Sequence, residues 1–111
     1  MRFPWQRRFH DLIQTQLHLF EQEYGHLVVD ARKARDAYNE ETDEKLSMEL
    51  HERFDDCAED VEDALEEMCN RMASTMELKA ARKYRSQFEQ AARDRYSDLL
   101  PRLRFGGWDP E

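Results

Sequence analysis

Apolar side chains recur at Ile13, Leu17, Phe20, Tyr24, Leu27, Ala31, Ala34 and Tyr38, in alternating steps of four and three. This alternation is a heptad seam, the mark of a helix that buries one stripe against a neighbour. With Pro4 suited to a first helical turn, the pattern predicts a helix over about residues 5–39. Gly25 falls on a flanking position, where it costs about 1 kcal/mol relative to alanine without breaking the helix. The polar run Asn39-Glu40-Glu41-Thr42-Asp43 offers Thr42 or Asp43 as the next N-cap, so the second helix should fold back antiparallel.

The second stripe, Leu46, Leu50, Phe54, Cys57, Val61, Leu65, Met68, Met72 and Met76, steps four, four, three in repeats of eleven, a period that gives a nearly straight or slightly right-handed stripe. A third stripe, Leu78, Ala81, Tyr84, Phe88, Ala92, Tyr96, Leu99 and Leu103, is out of phase with it. Ser74-Thr75-Met76-Glu77 has the spacing of a capping box at the join. The elements expected are helices over about 43–73 and 75–100, with an irregular tail over 101–111 after Pro101. One continuous helix from Asp43 to Leu100 remains an alternative, since neither glycine nor proline lies between them. The fold class is all-α: a single domain over 1–111, an elongated antiparallel helical hairpin or three-helix bundle with coiled-coil-like seams. A helix of ~35 residues is ~52 Å long, whereas a compact chain of this length has a radius of gyration of about 13 Å.

Composition agrees. Of 111 residues, 40% are hydrophobic and 38% charged, with three glycines and three prolines. A chain so poor in turn formers is not a sandwich, a barrel or a Rossmann-type sheet. Its longest apolar run, Leu27-Val28-Val29, is far short of the roughly 18 to 20 residues that span a bilayer, so no transmembrane segment is expected and the chain should be soluble or peripheral to a membrane. Arg2, Arg7 and Arg8 precede the first acid, Asp11, a faint transit-peptide character.

Charge is segregated. Residues 40–70 hold fourteen acids against Lys45 and Arg53, a local net charge of −12, and residues 71–104 hold nine bases against four acids. The simplest reading sets an acidic helix face, including Glu52, Asp55, Asp56, Glu59, Asp60, Glu62, Asp63 and Glu66, beside a basic one that fixes register. The alternatives are docking of a basic partner protein and imitation of the phosphate ladder of DNA. Direct nucleic-acid binding is opposed by the net charge of −8, and Tyr84, Phe88 and Tyr96 in the basic segment have core spacing.

Several spacings imitate metal or catalytic motifs. Glu23 and His26 form one Glu-x-x-His, where a di-iron bundle needs two copies and two further glutamates. Glu49/Glu52 and Glu59/Glu62/Asp63 resemble the magnesium-binding carboxylates of all-α nucleotide pyrophosphohydrolases, which face each other from two helices, whereas these share one. His10, His18, His26 and His51 have no triad partner at suitable spacing, and Cys57 sits in the apolar register as a small hydrophobe. No catalytic, cofactor or metal site is expected, and a metal-dependent bundle enzyme is the third-ranked reading.

A rod of two or three helices has a thin core, so a partner chain is expected to cover its seams. The aromatic and arginine-rich ends, Phe3, Trp5, Phe9, Phe105 and Trp108, are the candidate anchors, with Trp5 and Trp108 foremost. The function expected is a non-catalytic helical scaffold or accessory subunit acting through protein contacts, in a larger complex or a homo-oligomer. An acidic, nucleic-acid-mimicking inhibitor of a basic partner is the alternative.

The stretch Thr42-Asp43-Glu44-Lys45-Leu46-Ser47-Met48-Glu49-Leu50-His51-Glu52-Arg53-Phe54-Asp55-Asp56-Cys57, followed after eleven residues by Cys69, resembles the centre of the PDSW-type accessory subunits of mitochondrial respiratory complex I, with fainter echoes in Phe20-Glu21-Gln22-Glu23 and Asp94-Arg95-Tyr96-Ser97-Asp98-Leu99. The resemblance covers roughly 30 residues. It implies a non-catalytic helical subunit on the intermembrane-space side of the membrane arm, with Cys57 and Cys69 as a structural disulfide; without it, a cytoplasmic location is expected. That family usually carries a glycine-containing turn between these cysteines and further cysteines before the first helix, and this chain has neither. The eleven-residue repeat runs through the interval, and as unbroken helix it would hold the two Cα atoms ~18 Å apart, whereas a disulfide needs about 4.4–6.8 Å. Periodicity therefore implies two free thiols where the resemblance implies a bond.

Overall fold

The structure, a computed structural model, describes residues 4–106, with side chains described over 9–106. Three helices build it: α1 (Pro4–Glu40), α2 (Glu44–Ala73) and α3 (Leu78–Arg95). The all-α class holds, and the first turn lies where the polar run placed it. Asp43 is the N-cap of α2, its carboxylate accepting the Leu46 N–H at 3.1 Å. Glu41 accepts the Thr42 and Asp43 amides at 3.1 and 2.9 Å, so the tight turn leaves neither donor stranded. The chain reverses within three residues, and Tyr38 meets His51 edge-on across the turn, ring centroids 5.1 Å apart.

The second join differs from expectation in its chemistry. The helix does break after Ala73, but Ser74 and Thr75 serve the end of α2 rather than the start of α3. Ser74 Oγ donates to the Asn70 carbonyl and Thr75 Oγ1 to the Met72 carbonyl, both at 2.7 Å, while Glu77, the N-cap of α3, makes no side-chain cap bond. Hydroxyls back-bond readily onto the free carbonyls of a helix end, and here those carbonyls win over the capping box.

α3 runs parallel to α1: Phe9 meets Tyr84 and Phe20 meets Tyr96, each pair with centroids 5.9 Å apart. These rings, with Ile13, Leu17, Val28, Val61, Leu65, Cys69, Ala81, Phe88 and Ala92, form one core drawn from all three seams. The molecule measures 52 × 30 × 25 Å with a radius of gyration of 16.1 Å, elongated as the long first helix requires.

α3 stops at Arg95, about one turn short of the expected end. Tyr96 leaves helical geometry at φ −115°, ψ 37°, and Leu99 and Leu100 both donate back to its carbonyl. The ring of Pro101 would crowd the carbonyl one turn back in a continuing helix. The expected irregular tail is packed as far as it is described: Leu99, Leu100, Leu103 and Phe105 are buried. The segment 96–106 straps back over the bundle, placing the Phe105 ring 6.0 Å from Phe88 and beside the Arg85 guanidinium.

Candidate interaction faces

The eight acids expected to form one face divide in two. Glu52, Asp55, Asp56, Glu59, Asp60 and Asp63 are exposed, whereas Glu62 and Glu66 are half-buried. Helical phase explains the division for all but Asp55, which shares the flank of Glu62 and Glu66 yet is exposed: Glu49, Glu52, Asp56, Glu59, Asp63 and Glu67 recur in steps of three and four along the outward line of α2, ~27 Å of helix. Glu62 and Glu66 lie on the flank toward α3. Among the described residues Glu52, Asp56, Glu59, Asp60 and Asp63 take part in no ion pair, and Asp55 meets His51 one turn back at 3.3 Å.

Glu66 is committed to structure. It accepts the Gly106 amide at 3.1 Å and faces Arg85 of α3 at 3.7 Å. Arg85 also donates to Asn70 Oδ1 at 2.7 Å and to the Gly106 carbonyl at 3.0 Å, so one guanidinium ties α2, α3 and the strap together. Glu62 has its carboxyl pushed above the ordinary range by burial and then by the charges of Asp63, Glu66 and Glu59. All three of those carboxylates lie on α2 itself, and among the described residues no group of three His, Cys, Asp or Glu side chains converges to hold a metal. Glu23 and His26 are both exposed.

The basic segment does not simply line the acidic ridge. Arg95 turns to α1, donating to Glu21 at 2.8 Å, and the Tyr96 hydroxyl donates to the same oxygen at 3.0 Å. Burial alone would raise Glu21, but these two bonds and the charge of Arg95 outweigh it and hold the carboxyl below its usual value. Asp98 in the strap binds both Arg32, at 3.1 Å, and Arg35 of α1. Here too burial is overcome, by the hydrogen bond and charge of Arg32, and the carboxyl lies low. Sequence segregation of charge thus serves α1 as much as α2, a pairing that needs the fold to be seen.

Both cysteines are free thiols on the unbroken α2, Cys57 half-buried and Cys69 buried. Twelve helical positions hold them ~18 Å apart, so the Cys57–Cys69 bond implied by the resemblance is absent and the eleven-residue stripe is intact. Burial pushes the Cys69 thiol up to about 12, the nearby Arg85 charge offsetting only part.

Of the expected aromatic anchors, Phe9 and Phe105 belong to the chain's own core. Phe9 lies edge-on to Tyr84 and Phe105 lies on Phe88, so both rings are engaged within the chain rather than offered to a partner. The side chain of Trp5, and Phe3 and Trp108 altogether, lie outside the described residues.

Sequence reasoning missed a face that the described residues leave partly uncovered. α3 and the strap cover the side of the hairpin marked by Glu21, Arg32, Glu66 and Asn70, all of which contact them. Leu12 and Leu19 stand about half a turn round α1 from Glu21, and Leu46, Cys57, Ala64 and Met68 about half a turn round α2 from Glu66. Leu19 and Leu46 are 37% and 48% exposed, and Leu12, Leu27, Cys57, Ala64 and Met68 are only partly covered. The signal was present in the steps from Leu12 to Leu19 to Leu27, which run beside the main seam. No helix among the described residues is long and apolar enough to cross a membrane. Comparison of the chain with family models, with curated proteins and with solved structures gives no match.

Proposed function

We propose that the protein is a non-catalytic helical scaffold or accessory subunit that works through protein contacts within a larger assembly. The observation that carries this reading is the back of the hairpin, which the described residues leave partly uncovered. A bundle whose third helix of 18 residues covers one side of helices of 37 and 30 residues leaves a long, partly apolar strip that a partner can bury. The resemblance to PDSW-type subunits would set this contact in a respiratory membrane arm, though with the two thiols apart on α2 rather than bonded. Cross-linking and native mass spectrometry of the protein from its source test the proposal. A stable complex with cross-links on α1 and α2 supports it, and a protein recovered as free monomer at physiological concentration refutes it.

The outward line of carboxylates on α2 favours a second reading, an acidic inhibitor or adaptor of a basic partner. Six acids over ~27 Å are spaced about 5 Å apart, more sparsely than the phosphates of one DNA strand at about 3.4 Å. The ridge is therefore a weaker imitation of nucleic acid than its charge count suggests, and this reading stands second.

A further inference from the structure

The strap buries four apolar side chains, Leu99, Leu100, Leu103 and Phe105, yet among the described residues 97–106 make no backbone hydrogen bond to any of the three helices. The amides of Leu99 and Leu100 donate to the Tyr96 carbonyl and that of Leu103 to the Leu100 carbonyl, bonds that would travel with the strap if it moved. Two polar ties hold it down. At its start Asp98 binds Arg32, at 3.1 Å, and Arg35 of α1. At its end the Gly106 amide donates to Glu66 at 3.1 Å, and the Gly106 carbonyl accepts from Arg85 at 3.0 Å. Each tie joins one carboxylate to guanidinium groups, since Glu66 and Arg85 themselves stand 3.7 Å apart.

The root of the strap is of a different kind. Tyr96 is seated in the core, its ring 5.9 Å from Phe20 and its hydroxyl on Glu21, and the chain leaves helical geometry at this residue. Tyr96 is therefore the point about which the segment beyond it can turn. Ordering an irregular backbone costs conformational entropy comparable with what a few buried apolar side chains return. A segment with no ladder of its own, fastened at its two ends, is the kind that opens locally at less than the free energy of global unfolding.

We propose that residues 97–106 are a latch that swings open as one unit about Tyr96 while the three helices stay folded, and that loss of either tie, at Asp98 or at Glu66, loosens the whole of it. Opening uncovers the face of Phe88 on which Phe105 lies. It also turns out Leu99, Leu100, Leu103 and Phe105, with the exposed Arg102 and Arg104 between them. The chain thus holds a concealed apolar surface on the side of the hairpin that α3 covers, presented only when the latch is open. This device is independent of the scaffold reading.

Amide hydrogen exchange of the full chain, followed residue by residue by NMR at neutral pH, tests the latch. Relative to their intrinsic rates, the hydrogen-bonded amides of Leu99, Leu100 and Leu103 should exchange about tenfold or more faster than those of Val61 and Leu65, which are fully buried in α2. Each tie is then cut at one end and read at the other. Asp98→Ala should speed exchange of the Gly106 amide by about threefold or more, and Glu66→Ala should do the same to Leu99 and Leu100. Circular dichroism checks that the helices persist. Should Glu66→Ala lose helix, Glu66→Gln takes its place, keeping an acceptor for the Gly106 amide while removing the charge that faces Arg85. Strap amides protected as strongly as Val61 and Leu65 would overturn the proposal, because the strap would then open only with the whole fold. A cut felt only at its own end would overturn it too, since the two ends would be fraying separately rather than opening as one.

Discussion

Two buried tyrosines on the third stripe make opposite predictions for the same chemical change. Tyr84 is fully buried, and among the described residues its hydroxyl has no hydrogen-bond partner. Around the ring lie Phe9, edge-on at 5.9 Å and 72°, Phe88 at 5.9 Å and the Cys69 thiol. The ring packs well; the oxygen has been taken out of water for nothing. Burying an unsatisfied hydroxyl costs about 1–3 kcal/mol, and Tyr84→Phe removes that cost while keeping both ring contacts. A gain of about 1 kcal/mol is expected, since the small space vacated by the oxygen returns part of the benefit as lost contact.

Tyr96 differs only at its oxygen. It too is buried, but its hydroxyl donates to the Glu21 carboxylate at 3.0 Å. Hydrogen bonds to a charged group are worth about 1.5–3 kcal/mol, and because the Glu21 side chain is 42% exposed a loss discounted to about 1 kcal/mol is expected for Tyr96→Phe. The assay is urea unfolding followed by circular dichroism, with the slope checked for constancy. At a slope of about 1–3 kcal/mol per molar urea the two midpoints should move apart by about 1 M, Tyr84→Phe upward and Tyr96→Phe downward. A Tyr84→Phe protein that unfolds earlier than wild type would refute the reasoning, because the hydroxyl would then have a partner worth more than its desolvation.

Other groups report on pH. Cys69 ionises around its ordinary 9.0 in the unfolded chain but resists to about 12 when folded, so its contribution should be flat below pH 9 and fall by up to about 1.4 kcal/mol per pH unit above it; in Cys69→Ala the slope between pH 9 and 10, below the range where Tyr84 and Tyr96 contribute, should largely vanish. Asp98 lies below its ordinary 3.8, so its stabilisation is present above that pH and is lost as pH falls through its folded value; Asp98→Asn should cost about 1 kcal/mol or less at pH 7, the carboxylate being 35% exposed, and progressively less in urea melts as the pH falls below 3.8. Glu62 is shifted the other way, upward from 4.5, so its ionisation opposes folding as pH rises through its folded value, and Glu62→Gln should be more stable than wild type at pH 7 but not at pH 4. Under native conditions a thiol reagent should modify Cys57 first and reach Cys69 only on unfolding.

The elements were legible because each depends on local pattern. The heptad from Ile13 to Tyr38 and the Asp43 cap need no knowledge of neighbours, and α1 and α2 begin and end within about a residue of where they were expected. The errors lie where one local preference competes with another. Ser74 and Thr75 could cap the helix ahead or the one behind, and the spacing to Glu77 favoured the former, while the exposed carbonyls of Asn70 and Met72 took the hydroxyls. The stripe through Tyr96, Leu99 and Leu103 suggested continued helix. Its burial is real, but strap and helix bury the same residues, and apolar spacing alone does not separate them.

The candidate site was less legible, for a reason that phase makes plain. Periodicity says which residues share a line on a helix; it does not say which neighbour stands opposite that line. Phe9 and Phe105, near the chain ends, look like exposed anchors until α3 is seen to run parallel to α1, which brings Tyr84 against Phe9, and the strap to fold back along α3, which brings Phe105 against Phe88. Glu66 shares its acidic surroundings with Glu67, one position on, yet a rotation of about 100° turns Glu66 to Arg85 and the strap while Glu67 faces Arg71 and water. The bare strip through Leu12, Leu19 and Leu27 arises from the same geometry. A hairpin has two broad sides, a third helix of half its length can cover only one, and on the covered side Arg85 and Arg95 of α3 meet Glu66 and Glu21.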